Sequence, residues 1–409
     1  MTSSDMFEQY AALLCDIGLS LEPGQDVAVN AQIEHAELAR ALAEQAYVRG
    51  AHYVDIWYWD PHAKRSRIRH APAQTLGWTP PWLDSRYEQL ADRRGALVNI
   101  VGDPAPGLLA GLDEHRCGLD RMPALASRFR VQERGLVAWT FGCCPTPAWA
   151  ASLFGEPDVS RLWDQLAPIL RLDQPDPATA WQIHMNELRA RAAQLSAQHF
   201  DAVWFTGPGT DLTLGLIPEA TWQISELTGP RGQPNVLNLP TEEIYTTPDS
   251  RRTHGTVTTT LPLALGGVLI DRFTLIIEAG VITDVAAEHG ADTILAQLGA
   301  DEGARHLGEV ALVDGTSPIG RCGTVFRETL LDENATCHIA WGAGIPSVLP
   351  GWRSLTDDQL RDVGVNQSAT HVDFMVGGPD VIVTGLYADG TQTPILRAGK
   401  WQLPGDATP

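Results

Sequence analysis

The sequence lacks the cysteine spacing and the basic surface that mark several large classes of protein. Its six cysteines form no CxxC pair and no zinc-finger pattern, and a chain of 409 residues with 44% hydrophobic residues can fold without disulfides. We therefore interpret the adjacent Cys143 and Cys144 as small apolar residues of a core. A net charge of −21 argues against nucleic acid and anionic membranes as partners.

Signals for export or membrane insertion are also missing. The first ten residues, MTSSDMFEQY, contain no basic region followed by an apolar stretch, so no signal peptide is predicted. No uncharged run approaches the length of a membrane span, and there is no internal repeat or low-complexity segment. We expect a cytoplasmic protein that has no membrane partner.

The length of the chain and a change in residue composition near residue 185 predict two domains, residues 1–185 and 186–409. In the first, strand-like runs alternate with helical patterns such as Glu34–Arg49, which predicts an α/β domain with a mainly parallel sheet. A helix over Trp181–Gln198 leads into a second region rich in Gly, Thr and β-branched residues, which predicts an α+β domain with a mixed or antiparallel sheet. The predicted strands are 27–30, 53–59, 96–101 and 136–141 in the first domain, and 202–206, 256–261, 268–270, 273–277 and 381–386 in the second.

One glycine-rich segment looks like a phosphate-binding loop. Gly207-Pro208-Gly209-Thr210-Asp211 follows a predicted strand, but it lacks a third glycine and a following helix pattern. Pro208 also removes a backbone amide that such a loop would use as a donor. We interpret the segment as a tight turn between strands.

Four segments of the second domain carry acidic or histidine residues in apolar surroundings. The pair Glu242-Glu243 lies in a Pro-bounded run, where alternation of side chains lets only one of the two face a core or cleft. Glu309 begins an apolar strand-like run, where an unpaired carboxylate would be costly to bury. The other two segments are Leu331–His338 and His371–Gly377.

The spacing of His371 and Asp373 puts both side chains on one face of an extended strand. By itself, this pattern also fits a strand end with a His–Asp hydrogen bond. Together with Glu243, Glu309 and His338, it supplies three carboxylates and two imidazoles. This mixture is typical of a two-metal hydrolase that binds zinc, cobalt or manganese, and the absence of cysteine argues against structural zinc.

These segments resemble the aminopeptidase T and aminopeptidase S group of metallopeptidases, the thermophilic metalloprotease family. The resemblance covers essentially the whole chain, and the stretches NLPTEEIYTTP, LGEVALVDGTSPIG, TLLDENATCHIAWG and HVDFMVGG carry it in combination. It implies one or two divalent metal ions (Mn, Zn or Co) per subunit, in the C-terminal domain, and a homodimer or larger homo-oligomer. The metal ligands that it implies are Glu243, Glu309, His338, His371 and Asp373.

The sequence departs from this family at Ile345, where the peptidases have a tyrosine seven residues after the ligand histidine. A tyrosine hydroxyl at this position would stabilise the oxyanion of a tetrahedral intermediate, and isoleucine cannot. Either another donor, such as Tyr245 or Arg252, takes over this role, or the reaction does not need it.

Three functions therefore remain open. The first is an aminopeptidase, in which the metal ions activate water for attack on a peptide with a free amine, and Glu309 orients or deprotonates that water or serves purely as a ligand. The second is an aminohydrolase similar to 5-nitroanthranilate aminohydrolase, which replaces an aromatic amine by hydroxyl, giving 5-nitrosalicylate and ammonia. The third is a metal-binding or oligomeric scaffold without activity, against which the full ligand set argues.

Overall fold

The structure, a computed structural model, describes residues 3–120, 122–123, 125–265 and 268–403. The chain forms two compact units: Met1–Met185 with Ser225–Thr241, and Asn186–Ile224 with Glu242–Pro409. The division near residue 185 falls inside one 20-residue helix, Pro177–Ser196. The return of Ser225–Thr241 to the first unit was not predicted from the sequence.

The first unit is built around a five-stranded parallel sheet. The strands of the first unit are β1 (Asp26–Gln32), β2 (Tyr53–Trp59), β3 (Ala96–Val101), β4 (Ala138–Cys143), β8 (Glu226–Thr228), β9 (Pro234–Val236) and β10 (Asn238–Leu239). The sheet has the order β10-β4-β3-β1-β2, and β8 and β9 form a separate hairpin. Because β10 pairs in parallel with β4, the returning segment becomes the edge strand of this sheet.

Helices precede, connect and follow the parallel strands. They are α1 (Ser3–Leu13), α2 (Ala36–Val48), α3 (Pro61–His70), α4 (Ala73–Leu76), α5 (Pro81–Asp92), α6 (Glu114–Leu119), α7 (Ala126–Glu133), α8 (Pro147–Phe154) and α9 (Val159–Ile169), followed by α10 (Pro177–Ser196). Helices α5 and α7 pack together over β1 and β3, through a core that includes Tyr87, Leu97 and Val131. Cys143 and Cys144 are buried, which confirms their interpretation as core residues.

The second unit contains two larger antiparallel sheets. Its strands are β5 (Ala202–Gly207), β6 (Thr210–Leu216), β7 (Gln223–Ile224), β11 (Glu243–Thr246), β12 (Pro248–Thr258), β13 (Leu263–Leu265), β14 (Val268–Ile270), β15 (Phe273–Glu278), β16 (Val281–Ala287), β17 (Leu307–Val313), β18 (His338–Gly342), β19 (His371–Met375), β20 (Ile382–Leu386), β21 (Gln392–Arg397) and β22 (Lys400–Trp401). Its short helices are α11 (Ala291–Leu298), α12 (Pro318–Cys322), α13 (Thr329–Asp332) and α14 (Asp357–Asp362).

One sheet has the order β19-β18-β17-β11-β7, and the other has the order β16-β15-β12-β6-β5-β20-β21-β22. They share an aromatic core, in which the Phe273 ring of the larger sheet contacts Trp341 and Phe374 of the smaller one. The predicted fold class, a parallel α/β unit followed by an α+β unit, is therefore confirmed.

The segment that resembled a phosphate-binding loop is the turn of a hairpin. It joins β5 to β6, and Gly209 has a φ of +76°, which favours glycine. The interpretation as a tight turn is confirmed. Within the described ranges, we find no helix with the length and apolar character that a membrane span requires.

Candidate metal centre

The five residues predicted as ligands lie on one face of the five-stranded sheet, here called the ligand face. Glu243 lies on β11, Glu309 on β17, His338 on β18, and His371 and Asp373 on β19. Directly opposite residues of antiparallel strands point to the same side of a sheet. Ala340 is opposite both Glu309 and Asp373, and Ala311 is opposite His338, so small residues leave room between the polar groups.

Glu309 reaches the ligand face because β17 contains a bulge. Leu307 pairs with Trp341, whereas Glu309 already pairs with Ala340, so Gly308 is an extra residue on β17. Trp341 points to the opposite, apolar face, where it contacts Phe374. The bulge therefore lets Leu307 join the core while Glu309, two residues later, faces the other side.

The polar atoms form two groups that share Glu309. In the first, His338 Nε2 lies 3.1 Å from Glu243 Oε2 and 3.8 Å from Glu309 Oε1. In the second, His371 Nε2 lies 3.1 Å from Glu309 Oε2 and 3.3 Å from Asp373 Oδ1. Within each group, the atoms that offer lone pairs lie within 4.8 Å of one another. Glu309 therefore presents one carboxylate oxygen to each group, as a bridging ligand does.

Both histidines are oriented by backbone carbonyl groups. His338 Nδ1 lies 2.8 Å from the carbonyl oxygen of Glu333, and His371 Nδ1 lies 2.8 Å from that of Ala343. When Nδ1 carries the proton and donates to a carbonyl, the lone pair of the neutral ring is on Nε2. Such a bond to the outer nitrogen is the usual support of a metal-binding histidine.

The two groups differ in exposure. The side chains of the first are almost completely buried, with His338 at 1% and Glu243 at 5% of their full exposure. In the second group, His371 is 30% exposed and Asp373 is 16% exposed. Within this unit, a small molecule can therefore reach the centre from the side of His371 and Asp373.

The charges of the centre perturb one another strongly. Burial acts to lower the pKa of His338, but hydrogen bonds to Glu243 and Glu309 outweigh it and raise this pKa well above the usual value. Partial burial has the same opposing effect at His371, where Asp373 and Glu309 raise the pKa. The carboxylates of this small volume therefore need a compensating positive charge, from protons or from metal ions.

Glu333 is a further member of the centre that the sequence analysis did not single out. It is buried, and burial together with the charges of Asp373 and Glu243 raises its pKa well above the usual value. The neighbouring Asp332 turns away, since its carboxylate accepts the backbone N–H groups of Phe326 and Glu328. The sequence did contain a signal for this residue, the acidic pair Asp332-Glu333, whose second member lies five residues before His338. Only one acid of such a pair can point towards the ligand face.

Position 345 lies in the loop that follows β18. The backbone N–H of Ile345 donates to Thr247 Oγ1 at 2.8 Å, and its half-buried side chain packs against an apolar cluster that contains Tyr245. Tyr245 itself is buried two residues after Glu243 on the same side of β11, and its hydroxyl hydrogen-bonds to Ser347. Burial and the charge of Glu309 raise the pKa of Tyr245. A protonated hydroxyl is thus available beside the centre although position 345 has none.

Arg252, the other suggested donor, is engaged elsewhere. Its guanidinium lies 2.7 Å from Asp201 Oδ2 and 3.1 Å from the carbonyl oxygen of Leu216. It lines a different cavity of the second unit, together with His254 and Tyr387. The suggestion that Arg252 replaces the tyrosine of the family is therefore not supported by its position.

The donor set fits divalent transition-metal ions. Carboxylate oxygens and imidazole nitrogens suit zinc, manganese and cobalt, and a carboxylate shared by two groups is what a two-ion site requires. Because each Nδ1 faces a backbone carbonyl, each ring in its neutral form would present the Nε2 lone pair to a metal ion, which agrees with this chemistry. Structural zinc sites are closed by four ligands, whereas the second group here is partly exposed.

Comparison with known proteins gives matches along the whole chain. The family model described as thermophilic metalloprotease (M29) matches residues 3–401. Aminopeptidase T of Thermus thermophilus is 40% identical over 407 residues, which cover 96% of this chain and 98% of that protein. Aminopeptidase 2 of Geobacillus stearothermophilus is 35% identical over 401 residues, covering 96% and 97%. The solved structure of wild-type AmpT from Thermus thermophilus is similar with a TM-score of 0.88 at 36% identity, covering 98% of this chain and 100% of that chain.

Proposed function

This chain belongs to the thermophilic metalloprotease (M29) family, and on that basis we propose that it is an aminopeptidase acting on peptides with a free amine. It is a metal-dependent hydrolase of the aminopeptidase kind. The observation that carries the proposal is the pair of His–carboxylate groups joined by Glu309 on one sheet face. The relatives give no support to the alternative, an aromatic aminohydrolase.

The proposed ligands are Glu243, Glu309, His338, His371 and Asp373, holding one or two ions of manganese, zinc or cobalt. Such an ion supplies Lewis acidity, which polarises a carbonyl group and makes water more acidic. The protein residues supply orientation and charge. Their negative potential attracts a substrate amine, and the partly exposed His371 and Asp373 give it a route into the centre.

The position of Glu309 supports a ligand role in preference to proton transfer. Each of its oxygens faces a different histidine, at 3.8 Å and 3.1 Å, so deprotonating a water would require one oxygen to leave its group. Glu309→Gln distinguishes the two roles. A bridging ligand loses metal content with this substitution, whereas a proton acceptor keeps its metal and loses only turnover.

Tyr245 is the residue that we assign to the hydroxyl function absent at Ile345. It contacts the same apolar cluster as Ile345, and the charges of Glu309 and Glu243 both act on its hydroxyl. A hydrogen-bond donor at the edge of the centre can stabilise negative charge that develops on a carbonyl oxygen.

The cellular context and assembly belong to the same proposal. We expect a cytoplasmic homodimer or larger homo-oligomer, in keeping with the resemblance. Two exposed tryptophans on the first unit, Trp78 and Trp82, pack edge to face with their ring centroids 6.3 Å apart, and such an apolar patch is common at subunit contacts. Light scattering on the purified protein would measure the mass directly.

The activity is tested with two substrates. Protein stripped with a chelator is reloaded separately with Mn²⁺, Co²⁺ or Zn²⁺ and offered leucine p-nitroanilide or 5-nitroanthranilate. We expect metal-dependent release of p-nitroaniline from the first. Turnover of the aromatic amine alone would overturn the aminopeptidase proposal in favour of the aminohydrolase. Tight metal binding without either turnover would favour a scaffold.

A further inference from the structure

The neighbouring strands β1 and β3 form the topological switch point of the parallel sheet in the first unit. Counted along the sheet, its strands follow the order β2-β1-β3-β4-β10, so the connections leave β1 and β3 in opposite directions. In open α/β sheets, ligands bind at such a switch point, outside the carboxyl ends of the two strands. Here β1 and β3 are neighbours, and Asn30 and Asn99 face each other in their carboxyl-terminal halves.

A buried polar network lies at this switch point. Asn30 Nδ2 donates to Asn99 Oδ1 at 2.9 Å, and Arg86 Nη1 donates to Asn30 Oδ1 at 2.8 Å. Arg128, on α7, donates to the same Asn99 Oδ1 through Nη1 at 3.4 Å. The network therefore brings two guanidinium groups to two buried amides.

Only one of the two arginines is neutralised by a carboxylate. Arg86 is paired with Asp55. Arg128 is 91% buried, yet no carboxylate within the described ranges lies within ion-pair distance of it. The Phe129 ring, 4.7 Å from its guanidinium carbon, attracts the cation but carries no net charge. A buried cation without a counter-ion is strongly unfavourable, and burial accordingly lowers the pKa of Arg128.

Donor groups beside this cation also lack partners. Among the residues that the structure describes, Arg128 Nε and Asn99 Nδ2 are both buried without a hydrogen-bond acceptor, and the Ser127 hydroxyl of the same helix is also buried without a partner. Asn99 is only 2% exposed, so bulk water does not satisfy its amide. A buried water molecule would accept hydrogen bonds from these groups, but it would leave the charge of Arg128 uncompensated.

We propose that Arg128 and Asn99, at the switch point of β1 and β3, bind a small monocarboxylate, whose negative charge neutralises Arg128 and whose oxygens accept from Arg128 Nε and Asn99 Nδ2. One uncompensated cation calls for one negative charge, which favours a carboxylate over a phosphate dianion. Two donors on separate side chains suit a ligand with two oxygens, and guanidinium groups bind carboxylates in a planar, two-oxygen geometry. This site is in a different unit from the metal centre, and the proposal does not depend on the proposed activity.

Binding is measured with acetate as the probe, by saturation-transfer NMR on its methyl group and by the thermal midpoint of the full-length protein. Sodium chloride at equal ionic strength is the reference, and inorganic phosphate is a second probe. We expect acetate to receive saturation and to raise the midpoint progressively above the chloride series, as a ligand of the folded state must. Arg128→Gln should weaken acetate binding about tenfold or more, since a charged hydrogen-bond partner is lost.

Arg130→Gln is the matched control, because this guanidinium lies on the same helix but is exposed and paired with Glu88. It should bind acetate as the native protein does. If Arg128→Gln does not fold, Arg128→Lys keeps the charge without the Nε donor and should bind more weakly than the control. The proposal is overturned if acetate gives the native protein no saturation transfer, if chloride or phosphate stabilises it as much as acetate, or if the Arg128 variants bind acetate as tightly as Arg130→Gln.

Discussion

A single methyl group at Gly308 should disable the metal centre without touching a ligand. A Cβ atom at this position would lie 2.1 Å from the carbonyl oxygen of Ala343 and 2.6 Å from that of Gly342. Ordinary contact begins at 3.4 Å, so the Ala343 carbonyl must move by about 1.3 Å. That carbonyl accepts the hydrogen bond from His371 Nδ1, and Gly308 directly precedes Glu309.

The expected losses follow from these contacts. Overpacking of this kind costs about 1–3 kcal/mol of stability, which a folded unit of this size can tolerate. Loss of the partner that orients a ligand histidine weakens metal binding by about 10- to 100-fold. A displacement of about 1 Å in a catalytic group can lower turnover about 100-fold. We therefore expect Gly308→Ala to fold, to bind metal weakly and to be nearly inactive.

The assay is the metal content after dialysis, with the rate on leucine p-nitroanilide and the urea midpoint measured on the same samples. Gly118→Ala is the matched control, because a Cβ atom there meets nothing within 4 Å among the described residues. It should keep both metal and activity. Native metal content and activity in Gly308→Ala would refute the role that we give to the bulge.

Other substitutions test the centre and the first unit. Glu243→Ala and His371→Ala should each abolish activity while the circular dichroism spectrum stays native, because each removes a proposed ligand from a cluster of charged side chains. Undiminished activity in both variants would rule out the proposed site. Tyr245→Phe should lower kcat more than it changes KM, and Ile345→Tyr in that background should restore part of the rate; an unchanged kcat in Tyr245→Phe would exclude the hydroxyl role. Burial lowers the pKa of His35 from 6.5 to about 4, and its neutral ring bonds to Gly102 and Gln32. As the pH falls, His35 therefore takes up its proton in the unfolded chain before it does so in the folded protein. The contribution of the neutral ring to the free energy of unfolding is complete above pH 6.5 and is lost as the pH falls towards 4. The loss is about 2 kcal/mol between pH 7 and pH 5. Urea unfolding should show this loss in the native protein and in His62→Gln but not in His35→Gln.

Local sequence patterns predicted much of the first unit because its parallel strands are short, continuous apolar runs. The predicted strands 53–59 and 96–101 coincide with β2 and β3. The helix predicted over Glu34–Arg49 is α2, which begins two residues later because Ile33–His35 forms a 3-10 turn. The edge strand β10 could not be predicted, since its two residues pair with a strand about a hundred positions earlier. Such pairing depends on tertiary contacts rather than on local pattern.

In the second unit, strand β12 shows where the alternation of apolar and polar residues fails to predict the bounds of a strand. The predicted strand over residues 256–261 overlaps only its end, because Pro248–Thr258 contains exposed arginines and a register shift between Pro248 and Thr253. The five ligand candidates were predicted from local context and resemblance, and the structure brings all five together. Glu333 was missed because neither the alternation of a strand nor a helical period separates it from Asp332.

The position of Glu309 shows why neither pattern alone describes the centre. By strict alternation, Leu307 and Glu309 share a face, which would place either a leucine among the ligands or a carboxylate in the aromatic core. The bulge at Gly308 separates them. The ligand candidates are therefore fixed by strand register, whereas Ile345 lies in a loop whose backbone is held independently by Thr247. Side chains of that loop can change without moving the ligands, because the contact to Thr247 uses only backbone atoms of Ile345. This separation explains how the proposed ligands can keep their places while the side chain at position 345 varies.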